Sequence, residues 1–148
     1  MKNEKTVALY LRVSTKHQDT PEGSLISQEQ RLVEWYEYHN SQAKHSKEKD
    51  PYSKYVIYKD VETGTKASKR PSYNRMLADI KMGKVHTVAA ASISRLNRNL
   101  QEFYELYDIT QQHNVDIFSQ KESFDTSTAI GRAILKFMLV FYELESEQ

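Results

Sequence analysis

Cysteine is absent from this chain of 148 residues, and glycine, proline and tryptophan are scarce, with four, three and one. The first absence excludes thiol nucleophiles, disulfides and thiolate metal sites together. The few glycines are widely spaced, so there is no G-x-x-x-x-G-K-[ST] phosphate loop and no G-x-S-x-G nucleophile elbow. His17, His39, His45, His86 and His113 stand singly, without an H-x-H or H-x-x-x-H pair, and no metal site or cofactor is expected. No apolar run approaches the ~20 residues of a membrane span, and Met1–Lys5 is not followed by a signal-type core. The mean hydropathy of -0.74 and apolar share of 39% fit a soluble, cytoplasmic domain large enough to bury a core.

The net charge of +1 conceals two opposed segments. Residues 59–98 carry nine Lys/Arg against three Asp/Glu, and residues 99–148 carry three against nine. Only the first can face a polyanion. A chain this close to neutral overall would need a further basic module to hold a polyanion tightly.

Hydrophobic patterning predicts an α/β fold. Strands are read at Lys5–Leu11, Tyr55–Tyr58, Val85–Ala91 and Val115–Phe118. Helices are read from Ser24 to about Tyr38, from Pro71 to about Met82, from Leu100 to about His113, and from Thr128 onward. The small and β-branched residues of Val85–Ala91 indicate burial on both faces, hence a mainly parallel sheet of four to five strands covered by helices. The polar segment at about 39–53 reads as an exposed insertion. Residues 1–127 are expected to form the core. From Thr128 the last helix, with Ile130, Ile134, Phe137, Met138 and Phe141 spaced by three or four, reads as core or as an interface with a partner helix.

Chemistry concentrates just after the strands. On the first strand Tyr10, Arg12 and Ser14 share one face, setting a guanidinium beside a candidate nucleophile. Asp60 to Arg70 follows the second strand, and Ser92-Ile93-Ser94-Arg95-Leu96-Asn97-Arg98 the third. Arg95 and Arg98, three apart, would share one side of a helical turn. The carboxyl ends of parallel strands are where an open α/β sheet binds ligands. Four arginines around one serine exceed what a carboxylate substrate requires and fit a phosphodiester, whose transition state gathers negative charge.

The ordered set Tyr10-x-Arg12-x-Ser14-Thr15-x-x-Gln18, Arg70-Pro71, Asp79-Ile80 with Gly83-Lys84-Val85, Arg95-Leu96-x-Arg98-Asn99 and Phe124-Asp125-Thr126-x-Thr128-x-x-Gly131 resembles the catalytic domain of the serine recombinases, the resolvase/invertase family. The resemblance implies that Ser14 attacks DNA to give a 5'-phosphoserine and a free 3'-hydroxyl, which are later rejoined without an energy cofactor. It implies phosphate binding by Arg12, Arg95 and Arg98, with Arg70 as a further phosphate contact and Tyr10, Gln18, Asp60 and Thr63 in support. It also implies a double-stranded DNA crossover site as substrate, a long dimer-interface helix from Thr128, and dimers that pair into a synaptic tetramer. A DNA-binding region is expected to follow residue 148, and the insertion and long helix lean towards the large integrase and transposase type.

One departure concerns Ser94, which stands where the family usually has Asp. A serine hydroxyl is no useful base near neutral pH, which leaves Asp60 or Tyr10 as substitutes and a non-catalytic assembly module as the alternative reading. A phosphate-ester hydrolase or nucleotide-binding domain would call for a metal-binding carboxylate pair or a glycine-rich loop, and neither is found.

Overall fold

A computed structural model describes residues 4–14, 24–47, 49–62 and 69–146, with side chains throughout except at Ser14, Tyr142, Glu145 and Ser146. Five strands, β1 (Thr6–Ser14), β2 (Lys54–Glu62), β3 (Thr87–Ala90), β4 (Asp116–Ser119) and β5 (Phe124–Asp125), form one sheet in the order β2-β1-β3-β4-β5. The first four are parallel, and β5 turns back antiparallel on β4. Helices α1 (Leu25–Ala43), α2 (Pro71–Lys81), α3 (Ile93–Leu96), α4 (Leu100–Gln112) and α5 (Ala129–Ser146) complete the chain.

β1 lies inside the sheet and is covered on both sides, so Val7, Ala8, Leu9, Tyr10, Leu11 and Val13 are all buried. Its odd-numbered residues meet α1 through Leu32, and Trp35 stacks on Phe118 with ring centroids 4.3 Å apart. Its even-numbered residues join Met76 and Ile80 of α2, Phe103 and Leu106 of α4, and Leu135 of α5. Each such side chain contributes about 1.5–3 kcal/mol by leaving water.

β1 and β2 both run further than their apolar cores suggested, to Ser14 and Glu62, in a nine-residue register that aligns Tyr10 with Tyr58, Arg12 with Asp60 and Ser14 with Glu62. Arg12 therefore sits within a strand. β3 stops at Ala90, opposite Tyr10, leaving the end of β1 from Leu11 without a paired strand on that side. Gln28 of α1 takes over, donating to the Arg12 carbonyl at 3.0 Å and accepting from its N–H at 3.4 Å.

The segment read as a polar insertion is partly structured. α1 continues to Ala43, and the Asn40 side chain bonds both the N–H and the carbonyl of Tyr52 at 2.8 and 3.1 Å. Tyr52 then stacks on His39, which gives the segment apolar surface to bury.

α5 touches the domain chiefly through Gly131 and Leu135. A Cβ on Gly131 would lie 1.8 Å from the Asp125 carbonyl oxygen, so glycine is required for this approach. On the other face of α5 Ile130 (74% exposed), Ile134, Phe137 (69%), Val140, Phe141 and Leu144 are exposed to solvent. No helix of the described residues is long and apolar enough to cross a membrane.

Candidate active site

The arginines converge where β1 and β2 end and α3 begins. Arg12 is the hub. Its Nε donates to the Arg95 carbonyl at 3.0 Å, its Nη2 to the Ser94 carbonyl, and its Nη1 to Glu62 Oε1 at 3.0 Å. The strand thus presents a guanidinium whose orientation is set by the backbone of α3. Arg98 reaches the same Glu62 oxygen through Nε at 3.2 Å. Arg95 Nη1 donates to the Arg12 carbonyl at 3.4 Å and forms no ion pair among the described residues. Burial and the neighbouring charges of Arg12 and Arg31 lower the Arg95 pKa.

Arg95 and Arg98 do not share a helical turn as their spacing suggested. α3 ends at Leu96 and Asn97 is extended, at φ -135° and ψ 152°. The cause is the Asn97 side chain, which is buried and donates to the Tyr73 hydroxyl at 2.8 Å and to Glu102 at 3.1 Å. The break sends Arg98 towards β2 while Arg95 stays over β1.

Arg70 belongs to a second, inner cluster. Its guanidinium lies 4.0 Å from the Tyr73 ring centroid, donates to the Leu96 carbonyl at 3.1 Å and pairs with Glu102. Burial alone would raise the Glu102 pKa, but donation from Asn97 and the charge of Arg70 outweigh it and hold the carboxyl below its usual range.

Asp60 is buried and accepts from the Tyr10 hydroxyl at 2.7 Å and from the N–H groups of Ser72 and Tyr73 at 3.0 and 2.9 Å. Arg70, at the N-cap of α2, offers no side-chain cap, so Asp60 caps the helix from the neighbouring strand. Burial and Asp60 push the Tyr10 hydroxyl pKa far up. Both groups are committed to holding α2 against β1. Ser94 is exposed, with its Oγ 3.0 Å from that of Ser92.

Gln18, Thr63 and the Ser14 side chain lie outside the described residues, and for Ser14 only the backbone, paired with Glu62, is described. Sequence reasoning passed over Gln28, Asn97, Glu62 and Glu102. Asn99-x-x-Glu102 carried a signal, since it has the form of a capping box, and the Asn99 side chain does cap α4 by accepting from Glu102 N at 2.9 Å. Among the described residues no group of three or more His, Asp or Glu is placed to hold a metal ion.

A family model described as "Resolvase, N terminal domain" matches residues 7–148. The transposon Tn917 resolvase of Enterococcus faecalis is 26% identical over 91 residues, 62% of this chain and 48% of that protein, so the match spans about half the relative's length. The N-terminal catalytic domain of TP901-1 integrase has a TM-score of 0.78 at 28% identity, over 97% of this chain and 98% of that one. A resolvase family site-specific recombinase from Streptococcus pneumoniae has a TM-score of 0.61 at 24% identity, over 97% and 94%, which speaks for the fold alone.

Proposed function

The chain belongs to the resolvase N-terminal domain family, and from that premise we propose that it is the catalytic domain of a site-specific DNA recombinase that works through Ser14. The Ser14 oxygen loses its proton and bonds to the scissile phosphorus while the bond to the 3'-oxygen breaks. That oxygen leaves as a hydroxyl. The 5'-phosphoserine conserves the phosphodiester's energy, and attack by a new 3'-hydroxyl restores both serine and DNA.

The observation that carries this reading is the convergence of Arg12, Arg95 and Arg98 within one hydrogen-bond network at the strand end that leads into Ser14. Fixed guanidiniums of this kind stabilise charge on the non-bridging oxygens, an effect worth about 10²–10³ in rate per donor. Arg70, Tyr10 and Asp60 support the site from behind, and Gln18 and Thr63 are given supporting roles by the family resemblance alone. Ser94 contributes its carbonyl to Arg12, a role that needs no carboxylate, and we expect activity despite the missing Asp.

Residues 1–127 act as the catalytic core, and the helix from 128 as the start of a dimerisation element through Ile130, Ile134, Phe137, Met138 and Phe141. Dimers would pair into a tetramer on two DNA crossover sites in the cytoplasm. Tight DNA binding relies on a basic region outside these 148 residues, consistent with a large integrase-type protein.

The test is denaturing electrophoresis of the full-length protein on its labelled, nicked crossover site, beside Ser14→Ala. A covalent adduct that disappears in Ser14→Ala is the expected result. Normal DNA binding with no adduct under any trapping condition would move the assembly-module reading ahead.

A further inference from the structure

We propose that the Glu62 carboxylate occupies the seat of the reacting phosphate between Arg12 and Arg98, and must withdraw before a phosphodiester can bind there. The inference rests on the phosphate-binding reading above and assigns Glu62 a part in that site.

A single oxygen, Glu62 Oε1, accepts from Arg12 Nη1 at 3.0 Å and Arg98 Nε at 3.2 Å. Two guanidiniums sharing one acceptor oxygen is the arrangement a non-bridging phosphate oxygen takes. The strand register pairs the Glu62 Cα with that of Ser14, so the carboxylate arises beside the nucleophile's own strand position.

Two other roles for Glu62 fit less well. Orienting Arg12 is already accomplished by the Arg95 and Ser94 carbonyls, which take its Nε and Nη2 and leave Glu62 only the remaining side. Accepting the serine proton calls for a carboxyl of raised pKa. Burial would raise that of Glu62, but hydrogen bonds and charge from Arg12 and Arg98 hold it below its usual range, making it a persistent anion and a weak base.

Exposure makes exchange feasible. The Glu62 and Arg98 side chains keep 18% and 32% of their surface in water, so the carboxylate can swing out and be solvated as the phosphate arrives. Glu62 therefore lowers the affinity of the resting site for stray phosphodiesters and demands enough binding energy from the correct DNA to displace it.

The experiment titrates the 148-residue chain with the dinucleotide thymidylyl-thymidine, which contains one phosphodiester, and follows arginine Nε–Hε and Glu62 side-chain carboxyl signals by NMR. Wild type, Glu62→Gln and Glu62→Ala are compared, with amide dispersion confirming that each is folded. Both variants are expected to bind about tenfold tighter, as loss of one competing charged hydrogen bond permits, with the Arg12 and Arg98 signals moving. Equal or weaker affinity in either folded variant overturns the inference. In wild type alone, saturation must move the Glu62 carboxyl signal together with the two arginines; arginine shifts with an unmoved carboxyl overturn it too. If the arginine signals move in none of the three proteins, the phosphate-binding reading itself falls, and this inference with it.

Discussion

Two assemblies of arginine and glutamate lie next to each other in this domain and use the same chemistry to different ends. The inner one, Arg70 with Glu102, keeps its cation from water, with the Arg70 side chain 7% exposed and flanked by the Tyr73 ring and the Leu96 carbonyl. The outer one, Arg12 and Arg98 on Glu62, opens to water through Arg98, which is 32% exposed. In the inner pair the carboxylate is scaffold, because the Arg70 guanidinium it neutralises is buried, even though Glu102 itself keeps 22% of its surface in water. In the outer set it is a ligand that another anion can substitute. Burial, more than residue type, separates an arginine that builds the site from one that serves it.

The largest test of this contrast is thermodynamic. Glu102→Ala strands a buried guanidinium and is expected to cost about 3–5 kcal/mol in urea denaturation. Glu62→Ala is expected to cost less, about 1–2 kcal/mol, because Arg12 keeps its two carbonyl acceptors, and equal losses would erase the distinction. Next comes Arg98→Ala, which should lower adduct formation on nicked DNA about 10²-fold while leaving the denaturation midpoint nearly unchanged. A large stability loss there would move Arg98 into the inner class.

Smaller effects sharpen the picture. Asp60→Asn removes the charge that caps α2 and accepts from Tyr10, and about 1–2 kcal/mol of stability should go with it. Acid provides the mildest probe. Because the Glu102 carboxyl is depressed in the fold, its contribution is complete above the ordinary glutamate pKa of about 4.3 and is lost as pH falls through its lower folded value. The loss of stability between pH 5 and about 3 should therefore be shallower in Glu102→Gln than in wild type, as measured by urea midpoints across that range.

The four parallel strands, their arrangement and the three outer arginines were legible in the sequence because each rests on residue type and short-range period, whereas the two-residue β5 was too short to read. Runs such as Val7-Ala8-Leu9 and Val88-Ala89-Ala90, short and bounded by polar residues, fit a strand covered on both faces, and arginines clustered after strands stand out against any background. Glu62 and Glu102 did not stand out. An acid within a basic stretch reads as solvated surface, and it takes the register of β2 on β1, a contact spanning about fifty positions, to bring Glu62 onto Arg12. The end of α3 was hidden for a related reason. Asn97 is a tolerable helix residue by propensity, and only its bonds to Tyr73 and Glu102, made after folding, break the turn.

Gly131 has a mechanical consequence. From its contact with the Asp125 carbonyl to Ser146, α5 is a rod of about 22 Å, seated near one end by Gly131 and the buried Leu135. A tilt of about 10° at that fulcrum carries the tip about 4 Å, close to the width of a side chain. A single added methyl at position 131 thus acts as a wedge under a lever, and its effect is felt least where it is inserted and most at Phe141 and Leu144, the far end of the apolar face.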